Sequence, residues 1–132
     1  QPETWNPTAV PSAAQLANHL AVRLDREGSA EMSCIAGLGG DVRSLVRKAQ
    51  DAVSDGRAVV AIDGCVLSCA RQTLARHGIV PTRHVELWRM GVRKRHHEDF
   101  DPAQADALLA RCRDWMREDA QAADSADAAM TG

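Results

Sequence analysis

Two thiols lie four residues apart directly after an apolar run, in the segment AVVAIDGCVLSCARQ that extends from residue 58 to residue 72. These thiols belong to Cys65 and Cys69, and Asp63 and Gly64 precede the first of them. Residues four apart on a helix share one face, with Cβ atoms about 5–6 Å apart. Two such thiols could bind one metal ion, or one could act as a nucleophile while the other resolves the product.

The helix predicted after the apolar run, from about Cys65 to His77, keeps both thiols off its apolar face. At about 100° per residue, the apolar stripe points well away from the direction of the two thiols. The members of that stripe are Val66, Leu67, Ala70 and Leu74. Cys65 would also begin the helix, where the positive end of the helix dipole favours the thiolate form. We therefore expect chemistry from these thiols rather than core packing.

The other two cysteines differ in their surroundings. Cys34 lies near the end of a predicted short strand, AEMSCIA, at residues 30–36. Cys112 falls within the apolar stripe of the last predicted helix, which opens with Asp101 as N-cap and Pro102 at its first position. Free cysteine is often a small buried hydrophobe. We therefore expect Cys112 in the core, without a ligand role.

The elements that must position these thiols alternate between helix and strand. The hydrophobic pattern predicts helices at residues 13–27, 42–55, 65–77 and 102–118, and strands at residues 30–36, 57–62 and 83–90. This alternation predicts an α/β fold with a small, mostly parallel sheet of 3–4 strands and helices on both faces. Sites in such sheets collect beyond the carboxyl ends of the strands, which is where Cys34 and Cys65 are expected.

The length and composition of the chain predict one domain. A chain of 132 residues, 45% of them hydrophobic, suffices for a single core. We divide it into an N-terminal extension at residues 1–11, a single α/β domain at residues 12–118 and a disordered tail at residues 119–132. The tail is predicted because its Ala, Asp, Gln and Ser composition buries little apolar surface.

The same composition argues against several classes of function. A net charge of -2, an aromatic content of 3% and the absence of Tyr do not favour nucleic acid as a partner. No apolar run approaches the roughly 20 residues that span a bilayer, so no membrane insertion is expected. Four cysteines beside ample aliphatic residues do not form a disulfide scaffold, and no signal-peptide pattern is visible. We therefore expect a cytoplasmic protein.

Four linked blocks of the sequence resemble the DGC-domain family, which is named for an Asp-Gly-Cys motif and regarded as zinc-binding with four cysteines. The blocks are QLANHLAVRLDREG, AEMSCIAGLGGDV, AIDGCVLSCA and GVRKRHHEDF, and they span roughly residues 15 to 100. By this resemblance Cys34, Cys65 and Cys69 fall on family cysteines. The family usually has a Cys-x-x-Cys pair before SAAQ, where this chain has Pro7 and Val10.

Zinc is the cofactor that the resemblance implies, with Cys34, Cys65 and Cys69 as its ligands. Three protein ligands would leave the site open, because structural zinc normally takes four. Asp63, His96 or His97 could supply the fourth ligand. The alternatives are that Asp63 orders its turn and that RKRHHEDF is a solvated loop, in which the basic stretch at residues 93–95 forms a solvated rim.

The sequence is compatible with three functions and does not decide whether the chain is an enzyme. The first is a metal-binding or metal-handling protein whose partner is a zinc ion. The second is a thiol redox or sulfur-transfer enzyme with Cys65 as nucleophile and Cys69 as resolving thiol. The third is a non-enzymatic subunit that has lost the metal site and binds a protein partner. A disulfide between residues four apart on a helix is geometrically marginal, which favours metal over redox chemistry.

Overall fold

The computed structural model describes residues 11–131, so residues 1–10 of the N-terminal extension, Pro7 and Val10 among them, lie outside the described part. The elements follow one another along the chain as α1 (Ser12–Arg26), α2 (Ile35–Gly39), α3 (Arg43–Ser54), β1 (Val60–Asp63), α4 (Cys69–Arg76), β2 (Arg83–Glu86), a 3-10 turn (Leu87–Met90) and α5 (Pro102–Thr131). Among these, no helix combines the length and the apolar composition that crossing a bilayer requires.

The sheet is parallel, as predicted, but smaller than predicted. Within residues 11–131 it consists of β1 and β2 alone, paired so that Val60 lies opposite Arg83 and Asp63 opposite Glu86. The expectation of 3–4 strands is therefore wrong for this part of the chain. β2 is also shorter than the predicted strand 83–90, because the backbone tightens into the 3-10 turn that ends at Gly91, where φ is 84°.

The segment 30–36, predicted as a strand, is irregular until α2 begins at Ile35. Its two large apolar side chains, Met32 and Ile35, remain 38% and 45% exposed. The Met32 amide donates instead to Asp25 Oδ1 at 3.1 Å. A strand at residues 30–36 would bury little apolar surface. The segment is too short for its sequence pattern to show that its apolar side chains stay exposed.

Helices cover both faces of the sheet, as the sequence predicted. α1 and α5 form one core with Val60 and Ile62 of β1, and Leu16, Leu20 and Leu109 lie within it. The smaller core on the other face contains Ala61 of β1 together with Leu38, Leu74 and Ile79. Successive side chains of a strand point to opposite faces, so β1 contributes to both cores. This explains why its sequence is a continuous apolar run.

A bidentate ion pair joins the end of α1 to α5. Arg113 donates from Nε and Nη2 to the two carboxylate oxygens of Glu27, at 2.7 and 2.8 Å. The hydrogen bond from Arg113 lowers the pKa of Glu27 from 4.5 to about 2. Because the folded pKa lies below the unfolded value, this stabilisation is present above pH 4.5 and is lost as the pH falls towards 2.

α5 begins as predicted and continues further than predicted. Asp101 caps it, with Oδ1 accepting a hydrogen bond from the Ala103 amide at 3.0 Å. The residues expected to form a disordered tail instead continue the helix to Thr131. Alanine has the highest helix propensity, and extending an existing helix avoids the cost of nucleation. This continuation is largely exposed, so it requires little apolar burial.

Cys112 lies in the core, as its place in the apolar stripe predicted. Its side chain is 0% exposed, among the residues that α1 and α5 bury together. Burial raises the pKa of its thiol to about 11. A buried thiol with a raised pKa is chemically inert at neutral pH.

Truncating this side chain tests its structural role. We expect Cys112→Ala to lower the free energy of unfolding by about 1–2 kcal/mol, because it removes a buried sulfur from a packed core. Urea denaturation measures this change. The number of thiols that react rapidly in the folded protein should stay the same as in the wild type. A loss of one rapidly reacting thiol would contradict the assignment.

Candidate functional site

The chain reverses between β1 and α4 through residues 64–69, which we call the thiol turn. The Ser68 amide donates to the Cys65 carbonyl at 3.1 Å and closes the turn. Ser68 has φ 53°, a left-handed conformation, and α4 begins at the next residue, Cys69. The helix predicted to start at Cys65 therefore starts four residues later, because this turn interrupts it. Of the two thiols, only that of Cys69 lies at the first position of a helix.

This later start also changes the surroundings of the two residues between the thiols. Val66 and Leu67 were predicted to lie on the buried stripe of the helix, but their side chains are 73% and 62% exposed. Leu74, by contrast, is buried as expected. Cys65 is half-buried, Cys69 is exposed, and neither forms a disulfide. The turn therefore presents a thiol at each end and two aliphatic side chains between them.

Asp63 holds this turn in place. Its carboxylate is buried and accepts hydrogen bonds from the Ala70 amide at 2.7 Å and the Arg71 amide at 3.1 Å. His84 of β2 contacts the same carboxylate through Nε2 at 2.8 Å. The Ser68 side chain makes no capping bond, so Asp63 serves as the cap of α4 from outside the helix. Both oxygens of the candidate fourth ligand are thus engaged with the protein.

Gly64 allows α1 to pack directly against the turn. A Cβ atom added at Gly64 would lie 2.3 Å from the Ala13 carbonyl oxygen, which is too close for any side chain. The start of α1 is fixed in turn by the segment 93–95, because the Ser12 amide donates to the Arg95 carbonyl at 2.8 Å and the Arg95 amide donates to Ser12 Oγ at 2.9 Å. Three distant parts of the chain therefore meet at the start of α1.

One consequence of this meeting is a contact between an ammonium group and a thiol. Lys94 Nζ lies 3.7 Å from Cys65 Sγ, at hydrogen-bonding distance for sulfur. Residues 93–95 were expected to form a solvated rim, and this contact was not predicted from the sequence. The contact depends on α1 bridging two segments that are far apart in the sequence, and no local pattern carries that information.

The remaining predicted ligands are more dispersed. Cys34 caps α2, and its Sγ accepts a hydrogen bond from the Gly37 amide at 3.4 Å. His96 and His97 are exposed, with ring centroids 6.5 Å apart. Between residues 11 and 131, no group of three or more His, Cys, Asp or Glu side chains is placed to hold a metal ion. The donors as positioned therefore do not fit a preformed zinc site, and the ligand assignment of Cys34, Cys65 and Cys69 stays a prediction.

Comparisons with known proteins agree on one family. The profile of the DGC domain matches residues 10–112. A protein of Pseudomonas aeruginosa, the anaerobic and virulence modulator AnvM, is 53% identical over 98 residues, which cover 74% of this chain and 72% of that protein. No solved structure is significantly similar to the chain. The region that the DGC profile matches includes the thiol turn, α1 and Lys94.

The close packing at Gly64 can be tested by adding one methyl group. We expect Gly64→Ala to lower the free energy of unfolding by roughly 1–3 kcal/mol, because the new Cβ must displace the backbone of α1. The matched control is Gly39→Ala, where a Cβ meets nothing within 4 Å. Thermal and urea denaturation of both variants measure the difference. Equal stability of the two variants would show that α1 does not pack on the turn as described.

Proposed function

Because the chain belongs to the DGC-domain family, with its motif at Asp63, Gly64 and Cys65, we propose that it is a regulatory protein whose responsive element is the thiol turn. The name of its relative AnvM, a modulator, supports a regulatory role rather than metabolic turnover. The four cysteines of the chain are free. Free thiols suit a reducing compartment, so the proposal includes the cytoplasm as the place of action.

The observation that carries the proposal is the pair of accessible thiols at the two ends of one fixed turn. Lys94 lies beside Cys65, which is the less exposed of the two cysteines. Cys69 lies at the start of α4. The sequence-based objection to a disulfide assumed that both residues lie within one helix. With α4 starting at Cys69, a disulfide would instead bridge the turn, outside the hydrogen-bonded interior of the helix.

The proposed response is oxidation by a peroxide. Cys65, as thiolate, attacks one peroxide oxygen, so that the O–O bond breaks and the sulfur becomes a sulfenic acid. The departing hydroxide takes up the proton that the thiol had released and leaves as water. The Cys69 thiol then attacks that sulfur, forms the disulfide and releases a second water. Two thiols are oxidised and one peroxide is reduced. An external dithiol restores the reduced state by exchange.

Intact-mass spectrometry tests this response. Treatment of the reduced protein with a small excess of hydrogen peroxide should lower its mass by about 2 Da, the mass of the two hydrogens lost in forming one disulfide. Peptide mapping should place the disulfide between Cys65 and Cys69. The variant Lys94→Ala should form it more slowly, because the cation beside the attacking sulfur is removed.

Cysteine variants provide the controls for this experiment. Cys65→Ser and Cys69→Ser should each abolish the mass loss, whereas Cys34→Ser should behave as the wild type. Peroxide treatment that yields no disulfide, or an equal yield in Cys65→Ser, would exclude the proposed response.

Zinc binding is the second candidate, supported by the placement of two thiols at the starts of neighbouring helices. Cys34 caps α2, α2 packs against α4, and Cys69 begins α4. Zinc would require these side chains to leave their present positions, since Cys34 Sγ now accepts a hydrogen bond from Gly37. When bound, zinc would hold the thiolates together and leave a position open, because fewer than four protein ligands are at hand.

This second candidate predicts a weak site that the fold does not need. Zinc titration of the reduced protein should show binding that Cys65→Ser or Cys69→Ser removes and Cys112→Ala retains. A chelator should strip the metal without changing the thermal melt, because two cores are buried without it. Unfolding on chelation would instead indicate a closed structural site.

A further inference from the structure

The thiol turn carries an exposed apolar pair in a fixed position. Val66 is 73% exposed and Leu67 is 62% exposed, and the turn that bears them is held by Asp63, by the packing of α1 on Gly64 and by its own closing hydrogen bond. Isolated apolar residues on a surface are ordinary. Two adjacent ones on a rigid turn, flanked on each side by a thiol, form a small preorganised contact surface.

Two basic residues adjoin the thiol turn. Lys94 contacts Cys65, and Arg71 lies in the first turn of α4 with its amide bound to Asp63. The ion pairs found among the described residues do not involve Lys94, Arg71 or Arg93. Asp63, the acidic residue of the motif itself, is 5% exposed and already accepts its hydrogen bonds. Lys94 therefore places a positive charge without a carboxylate partner beside the turn, in a chain of net charge -2.

We propose that Val66 and Leu67 dock an acidic, apolar segment of a partner protein, with Lys94 and Arg71 pairing with its carboxylates. Aliphatic contact would supply affinity, and complementary charge would select the partner. A membrane surface fits less well, because membrane-bound segments bury a long apolar face rather than two residues of a turn.

The redox step of the proposed function would regulate this docking, and this part of the inference rests on that function. Val66 and Leu67 lie inside the loop that a Cys65–Cys69 disulfide would close. Closing the loop changes the backbone that presents both side chains. The reduced protein is therefore the form that docks the partner, and the oxidised protein docks it more weakly.

A synthetic peptide can serve as the probe. It is a fluorescein-labelled peptide of roughly 15 residues, long enough to form a helix, with Leu at helical spacing and Glu elsewhere. The matched peptide replaces every Glu with Lys. Fluorescence polarisation with the whole reduced chain at low salt should show binding of the acidic peptide and none of the basic one. Peroxide treatment should weaken the binding of the acidic peptide.

Surface variants then locate the binding. Leu67→Ser and Lys94→Glu should each weaken binding of the acidic peptide by at least about tenfold, as expected for a central contact and for a charge reversal. The matched control is Val80→Ser, at an aliphatic residue that is 85% exposed and precedes β2 at the other end of the sheet. That variant should bind as the wild type does. Circular dichroism melts confirm that all three variants are folded.

Several results would overturn the proposal. The acidic peptide could fail to bind, the basic peptide could bind equally well, or Leu67→Ser could bind the acidic peptide with unchanged affinity. Binding to phosphatidylglycerol vesicles that Leu67→Ser removes would assign the surface to a membrane. Self-association in size-exclusion chromatography that the same variant removes would assign it to a second copy of the chain.

The docking surface and the redox response can fail separately. Leu67→Ser keeps both thiols and should still form the disulfide, so a loss of peptide binding in this variant does not reflect lost thiol chemistry. Peptide binding by a protein whose thiols do not respond to peroxide would refute the redox function and leave the docking surface standing.

Discussion

The buried carboxylate of Asp63 is the interaction on which the rest of the site depends. A buried carboxylate must have hydrogen-bond donors, and Asp63 takes them from two amides of α4 and from His84 of β2. It therefore fixes the end of β1, the start of α4 and the neighbouring strand with one side chain. The amides in the first turn of a helix have no partner within the helix, so the negative charge of Asp63 also stabilises the first turn of α4.

Once Asp63 fixes the turn, the other features of the site follow from packing. Gly64 lets α1 approach so closely that a Cβ atom would collide with the Ala13 carbonyl. α1 then holds the segment 93–95 through Ser12, and this places Lys94 beside Cys65. The Asp-Gly-Cys motif thus has a separate physical role for each residue: a cap, a close contact and an accessible thiol. This division explains why a short motif can define a site.

The sequence predicted those features that depend on local pattern or burial. The position of Cys112 in an apolar stripe predicted its burial, the continuous apolar run predicted a strand covered on both faces, and Asp101 predicted the start of α5. The features it did not predict depend on distant contacts. Helical spacing assigned Cys65 to a helix, whereas a left-handed Ser68 and a capping Asp63 delay that helix to Cys69. Likewise, the contact between Lys94 and Cys65 arises only once α1 is packed.

The central claim, that Asp63 holds the thiol turn, is tested most directly by amide hydrogen exchange in Asp63→Asn. Asparagine keeps the shape of the side chain but replaces one acceptor oxygen with a donor, so it cannot accept from both α4 amides. We expect the amides of Ala70 and Arg71 to lose protection in this variant, while amides in the interior of α5 exchange as in the wild type. Unchanged protection of Ala70 and Arg71 would contradict the account, because the turn would then be held by something other than this carboxylate.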